Sequence, residues 1–134
     1  MNLEQKNTKK QGDVGLGVAI GFFASQGHTV CIPLTDSQDY DLIIETTDGL
    51  KKIQVKTTRC KNVHGLFQVE LRTKGGMRGN IVKHFNVNSV DFIFIITEEL
   101  SKYLIPTAEL ICNRVNEKQR NSIILGVQYE RFKV

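Results

Sequence analysis

Apolar and polar positions alternate on both sides of one tight turn: residues 41–45 and 50–57 flank Thr46-Thr47-Asp48-Gly49, whose Asp-Gly pair is a strong hairpin signal. The pattern predicts two adjacent antiparallel strands. Side chains alternate along a strand, so Gln54 and Lys56 share one face while Ile53 and Val55 take the other. Upstream, Val14, Val18 and Phe22 on one line, and Leu16, Ala19, Ile20 and Phe23 on another, predict a well-buried helix over about residues 9–26. Thr8 is its expected cap and Gly27 its end. Gly12, Gly15, Gly17 and Gly21 each cost that helix roughly 1 kcal/mol relative to Ala, which points to a close approach on its backbone. They are not a dinucleotide fingerprint, because their spacing is not GxGxxG and no strand precedes them.

Residues 29–34 read as a strand closed by Pro33, and residues 35–38 as a polar loop. Residues 66–71 alternate, with Phe67, Val69 and Leu71 on one side. The continuous apolar run at 91–97 reads as a buried strand, and 103–105 returns beside it after a turn at 98–102. Residues 72–80, RTKGGMRGN, read as a basic glycine-rich loop, and 81–90 as short helix or coil. A short helix is expected from Pro106-Thr107 through Cys112, then a polar stretch at 113–122, and no clear period from Ile123 onward. No repeat or linker breaks the chain, so residues 1–134 are expected to form one domain.

Composition narrows the class. Apolar content of 40% and charged content of 24% fit a soluble globular chain rather than a disordered one. A net charge of +4 and a pI near 9.0 slightly favour a polyanionic partner. Cys31, Cys60 and Cys112 lack Cys-x-x-Cys spacing and a His at ligand distance, which argues against zinc and disulfides and suits a reducing cytoplasm. With no charged-then-apolar leader, and no apolar run near the roughly 20 residues that span a bilayer, no membrane partner is expected. His28, His64 and His84 are scattered and read as surface or packing residues.

On the hairpin, the acid Asp41, the amide Gln54 and the ammonium of Lys56 can converge on one patch. An acid with a carbonyl-bearing residue can hold a hard cation through oxygen, and a nearby Lys can stabilise or deprotonate an anionic reactant. That is equipment for metal-dependent phosphodiester cleavage. The ordinary alternative is a solvated polar face. In the 72–80 segment, glycine backbone can approach phosphates, or the loop can simply be solvated.

The order of these elements, with the segments GDVG, GHTVCIPL, YDLII, IQVKT and VDFIFIITEELSKYLIP, resembles the PD-(D/E)xK nuclease family. The likeness is greatest to a small branch that includes an intron-encoded homing endonuclease, in which Gln replaces the second acid. The resemblance implies a restriction-endonuclease-like α/β core, a mixed central sheet flanked by helices. It also implies a magnesium-dependent, sequence-specific double-stranded DNA endonuclease, with manganese as a substitute ion. Asp41 would bind the metal directly, Gln54 through its amide oxygen and Val55 through its backbone carbonyl. Lys56 would assist the attacking water or stabilise the pentacovalent state. The family tends to carry an acid on the first helix, at the position matching Leu16, which cannot ligate. Asp13, three residues earlier, is the candidate replacement, or else an acid paired with the helix dipole. DNA contacts are expected from Lys9, Lys10, Thr57, Thr58, Arg59 and Lys61, with Lys74, Arg78 and Lys83, and Arg78 as the candidate reader of a guanine edge. So small a chain implies a homodimer or homotetramer. Two alternatives stay open: a structure-selective nuclease such as a Holliday junction resolvase, and a catalytically inactive DNA-binding relative, which Leu16 and Gln54 favour.

Overall fold

The computed structural model describes residues 7–75, 81–83, 86, 88–110 and 121–134, with the backbone alone at 73–75 and 81–83. The alternating hairpin forms as expected. Strand β2 (Leu42–Thr46) pairs antiparallel with β3 (Gly49–Thr58), in register from Leu42 opposite Ile53 to Thr46 opposite Gly49. Gly49 adopts φ 104° at the turn, a left-handed conformation that glycine takes without steric cost. The short strand β1 (Thr29–Cys31) adds to the outer edge of β2.

The apolar run Phe92–Thr97 pairs parallel with β3, from Ile53 opposite Phe92 to Thr58 opposite Thr97. Asp91 pins the start of this pairing. Its carboxylate accepts from the Lys52 N–H at 2.8 Å, and its own N–H donates to the Lys52 carbonyl at 2.9 Å. The mixed sheet is completed by Lys102–Pro106, antiparallel on the far side. In chain order the intervening strands are β4 (Gln68–Glu70), β5 (Thr73–Gly75) and β6 (Ile81–Lys83), so Phe92–Thr97 is β7 and Lys102–Pro106 is β8. The five-stranded order is β1-β2-β3-β7-β8.

The two faces of this sheet carry separate cores. On one face, helix α1 (Thr8–Ser25) packs Ala19 and Phe23 against Leu42, Ile44, Ile53, Phe94 and Ile96. Its sheet-facing line is Gln11, Gly15, Ala19 and Phe23, one residue per turn. The close approach expected from the helix glycines occurs at Gly15, where an added Cβ would lie 2.3 Å from Thr57 Cγ2. A Cβ added at Gly12, Gly17 or Gly21 would meet nothing within 4 Å among the described residues. The other face is covered by the ribbon of β4 with β9 (Ser122–Ile124) and by the 3₁₀ helices Thr107–Leu110 and Val127–Phe132. There Val69, Leu71, Ile93, Ile95, Ile105, Ile123 and Tyr129 share one cluster. The sheet is therefore flanked by an α-helix on one side and mainly by a ribbon on the other.

Several local expectations are corrected. Asn7, not Thr8, caps α1, its side chain accepting from the Lys9 N–H at 3.0 Å. The helix stops at Ser25, and Gly27 follows in a left-handed conformation at φ 85°. The strand at 29–34 is shorter, ending at Cys31. Residues 73–75 are not loop and 81–83 are neither helix nor coil, because they pair with each other antiparallel, Lys74 opposite Val82. The unperiodic C-terminal stretch becomes strand and 3₁₀ helix because Ile123 finds its partner in Val69. The expected helix through Cys112 is a 3₁₀ turn ending at Leu110 among the described residues, and Cys112 with the polar stretch to residue 120 lies outside them. No helix among the described residues is long and apolar enough to cross a membrane.

Candidate active site

The site grows out of the place where β2 begins. Asp41 precedes the first residue of β2, and its N–H donates to the Ile53 carbonyl at 2.8 Å, continuing the ladder. Leu42–Ile53 is the last pair of the ladder, so Asp41 stands just beyond its end, lining the same cleft as Gln54. Its Oδ2 accepts from the Val55 N–H at 2.6 Å, so the carboxylate is anchored to the neighbouring strand.

Gln54 and Lys56 lie on the face opposite α1, since they pair with Ile93 and Ile95 of the other core. Gln54 is only 8% exposed, and its Oε1 has no hydrogen-bond partner among the described residues. Asp36, Gln38, Asp39, Asp41, Gln54, Val55 and Lys56 line one cleft of about 340 Å³. Asp39 accepts from the Ser89 hydroxyl at 3.1 Å. Asp36 and Asp39 were not singled out in the sequence, although the acid spacing of DSQDYD carries the signal.

Enclosure sets the electrostatics. The Asp41 residue has solvent contact, but its carboxyl is flanked by protein and loses water, which lifts it above the ordinary carboxylate range. The Val55 N–H and the Lys56 charge pull it back only in part. Burial likewise lowers Lys56 below the ordinary lysine range, with Asp41 and then Glu70 opposing. Among the described residues, no group of three His, Cys, Asp or Glu side chains could hold a metal. The side-chain donors at the strand pair are thus one carboxylate and one neutral amide oxygen.

The other site expectations are placed as follows. Asp13 is exposed, and it lies two positions from both Gln11 and Gly15, about 200° around the helix from the sheet-facing line. The sheet separates α1 from Gln54 and Lys56, so the structure does not bring Asp13 to the cleft. Leu16 packs against the α1 core. It is Gln11 that reaches β3, donating from Nε2 to Thr57 Oγ1 at 2.9 Å. Thr58 is buried and its hydroxyl donates to the Gln68 carbonyl, so that group is engaged within the protein rather than offered to DNA. Arg59 is half-buried beside Thr57 and Thr58 in a second concavity. Lys61 is paired with Glu99 at 2.5 Å and lies over the Phe67 ring. Lys9 and Lys10 are exposed in the first turn of α1. Lys74 and Lys83 lie on the β5–β6 ribbon, and Arg78 lies outside the described residues.

A mixed sheet with an acid beside Gln-x-Lys in one cleft, and a helix on the reverse face, defines a restriction-endonuclease-like nuclease core. The chain matches the PD-(D/E)XK endonuclease family over residues 6–123, and it belongs to that family. Such nucleases generally use divalent metal ions. The fold is similar to that of a solved bacterial homing endonuclease, I-Ssp6803I, with a TM-score of 0.72 and 26% identity over 93% of this chain and 82% of that one. A comparison with proteins of curated function returns no match.

Proposed function

We propose that this protein is a divalent-metal-dependent, sequence-specific double-stranded DNA endonuclease whose centre is Asp41, Gln54 and Lys56. The observation that carries the reading is the buried Oε1 of Gln54, unpartnered among the described residues, in the same cleft as the anchored Asp41 carboxylate. An unsatisfied buried acceptor costs about 1–3 kcal/mol, and a hard cation is a partner of the right chemistry for it. The donors fit magnesium, with manganese as substitute: Asp41 oxygen, Gln54 Oε1 and the Val55 carbonyl, water and a phosphate oxygen completing the set. A bound ion would supply positive charge to the phosphate and acidify a water.

The chain's own groups do the rest. Val55 N–H fixes the Asp41 carboxylate. The Lys56 ammonium, loosened from its proton by burial, holds the attacking water and meets charge developing on the phosphate. Lys9, Lys10 and Arg59 contact the duplex backbone, and the β5–β6 ribbon with Lys74 and Lys83 has the form that enters a major groove. Residues 1–134 act as one unit, and cutting both strands takes two copies, as a homodimer or homotetramer. A cytoplasmic setting suits the exposed thiols of Cys31 and Cys60.

The test is cleavage of a diverse plasmid library at low salt with magnesium, manganese or EDTA. Discrete metal-dependent cuts that disappear in Lys56→Ala are expected. DNA binding without cleavage under either ion would overturn the reading and leave an inactive DNA-binding relative, which the neutral Gln54 favours.

A further inference from the structure

The cleft has two walls of different origin. Asp41, Gln54, Val55 and Lys56 belong to the β2–β3 pair, while Asp36, Gln38 and Asp39 come from the loop that joins β1 to β2. That loop is fastened at several points. The Gln38 amide donates to the Thr35 carbonyl, and its Oε1 accepts from the Thr35 hydroxyl at 3.1 Å, closing a turn around Asp36. Asp39 accepts from the Ser89 hydroxyl at 3.1 Å, and Tyr40 packs on the ribbon-side core. Asp39 is thus engaged, and Asp36, which is exposed, is the loop acid at the open side of the cleft.

We propose that Asp36 holds the divalent cation from across the cleft through a water molecule, supplying the negative charge that Gln54 lacks. The inference rests on the nuclease reading and deepens it. On the strand wall the charges of Asp41 and Lys56 cancel, so that wall offers a cation oxygen atoms but no net charge. The Oε1 of Gln54, buried and unpartnered among the described residues, independently marks this cleft as one that receives a ligand. Size decides between direct and water-mediated contact. Magnesium is octahedral and keeps several of its waters, and six waters at about 30 Å³ each occupy roughly 180 Å³. A cleft of about 340 Å³ takes the hydrated ion with room for a phosphate oxygen. Among the described residues the acids do not close into a three-ligand cage, so Asp36 acts through water and leaves direct contact to the strand pair.

The test is the dissociation constant for manganese, read by electron paramagnetic resonance on the metal-free full chain. Asp36→Asn is expected to weaken manganese binding about 10- to 100-fold, the range for groups that act on a metal through its ligands. Asp36→Glu should recover most of the affinity, because a water bridge accommodates the longer arm. Asp48→Asn, which removes an exposed acid on the hairpin turn outside the cleft, should leave it unchanged. Wild-type affinity in Asp36→Asn overturns the proposal. So does an equal loss in Asp48→Asn, which would reduce the effect to net charge, and so does a wild-type chain that binds no manganese. Cleavage is read separately. If Asp36→Asn binds manganese more weakly but the wild-type chain cuts no DNA, the nuclease reading fails and the role of Asp36 stands. If both cut DNA and bind manganese equally, the nuclease reading stands and this one fails.

Discussion

Replacing Gln54 with Glu restores the acid of the family motif and tests the site electrostatics directly. Asp41 and Gln54 line one cleft, and the Asp41 carboxylate is held at 2.6 Å by the N–H of Val55, the residue after Gln54, which puts a carboxyl at position 54 on the order of 5 Å from it. Two carboxylates about 5 Å apart repel by about 3 kcal/mol at an effective dielectric of 20. Position 54 is 8% exposed, so desolvation adds to the repulsion, while Lys56 offsets part of it. Metal-free Gln54→Glu should therefore lose about 2–4 kcal/mol at neutral pH, a fall in Tm on the order of 10 °C for a chain this size. The introduced carboxyl would titrate above its unfolded value, so the loss should shrink as pH falls and the pair takes up a proton. Saturating manganese should reverse the loss, because the second carboxylate then faces a cation. Thermal melts at pH 7.5 and pH 5, with EDTA and with manganese, measure all of this. If the variant melts with the wild type in EDTA, or if manganese raises both by the same amount, Gln54 does not face Asp41 in a cation site.

Lys56→Met should melt higher than wild type at neutral pH while losing cleavage. The lysine sits below its ordinary 10.5, so the stability linked to it is present above that value and lost as pH falls through the folded pKa. A lower melting point at pH 7 would contradict the sign. Gly15→Ala places a Cβ 2.3 Å from Thr57 Cγ2. Overpacking of about 1–3 kcal/mol should outweigh the roughly 1 kcal/mol gained in helix propensity. Gly17→Ala, with nothing within 4 Å, should instead stabilise, and denaturant melts in the reverse order would refute the packing. Lys9→Gln with Lys10→Gln should reduce the slope of log affinity for DNA against log salt by about 2, read by fluorescence anisotropy across salt concentrations. An unchanged slope would remove the first turn of α1 from the interface.

What the sequence made legible was local. The hairpin, the shared face of Gln54 and Lys56, and the position of Asp41 follow from a period of two around one turn. The parallel pairing of β3 with β7 did not follow, because it is set by Asp91 capping Lys52 across a long connection. The helix was legible, and Ala19 and Phe23 of its second apolar line are the buried ones, but the fully buried line continues through the polar Gln11 and the side-chain-free Gly15, which no apolar pattern marks. Asp13 looked near the site because it lies three residues before Leu16, yet it is exposed on the far side of α1 from the sheet. Thr58 looked like a DNA contact because it follows the motif lysine, yet its hydroxyl holds β4 in place.

The amide at position 54 makes physical sense at this site. A glutamate there would stand against Asp41 permanently, at a cost of about 3 kcal/mol whenever no cation is present. A glutamine leaves one orphaned acceptor, a cost of about 1–3 kcal/mol that a cation also relieves. The amide therefore lowers the standing repulsion while keeping a carbonyl oxygen that a cation can use.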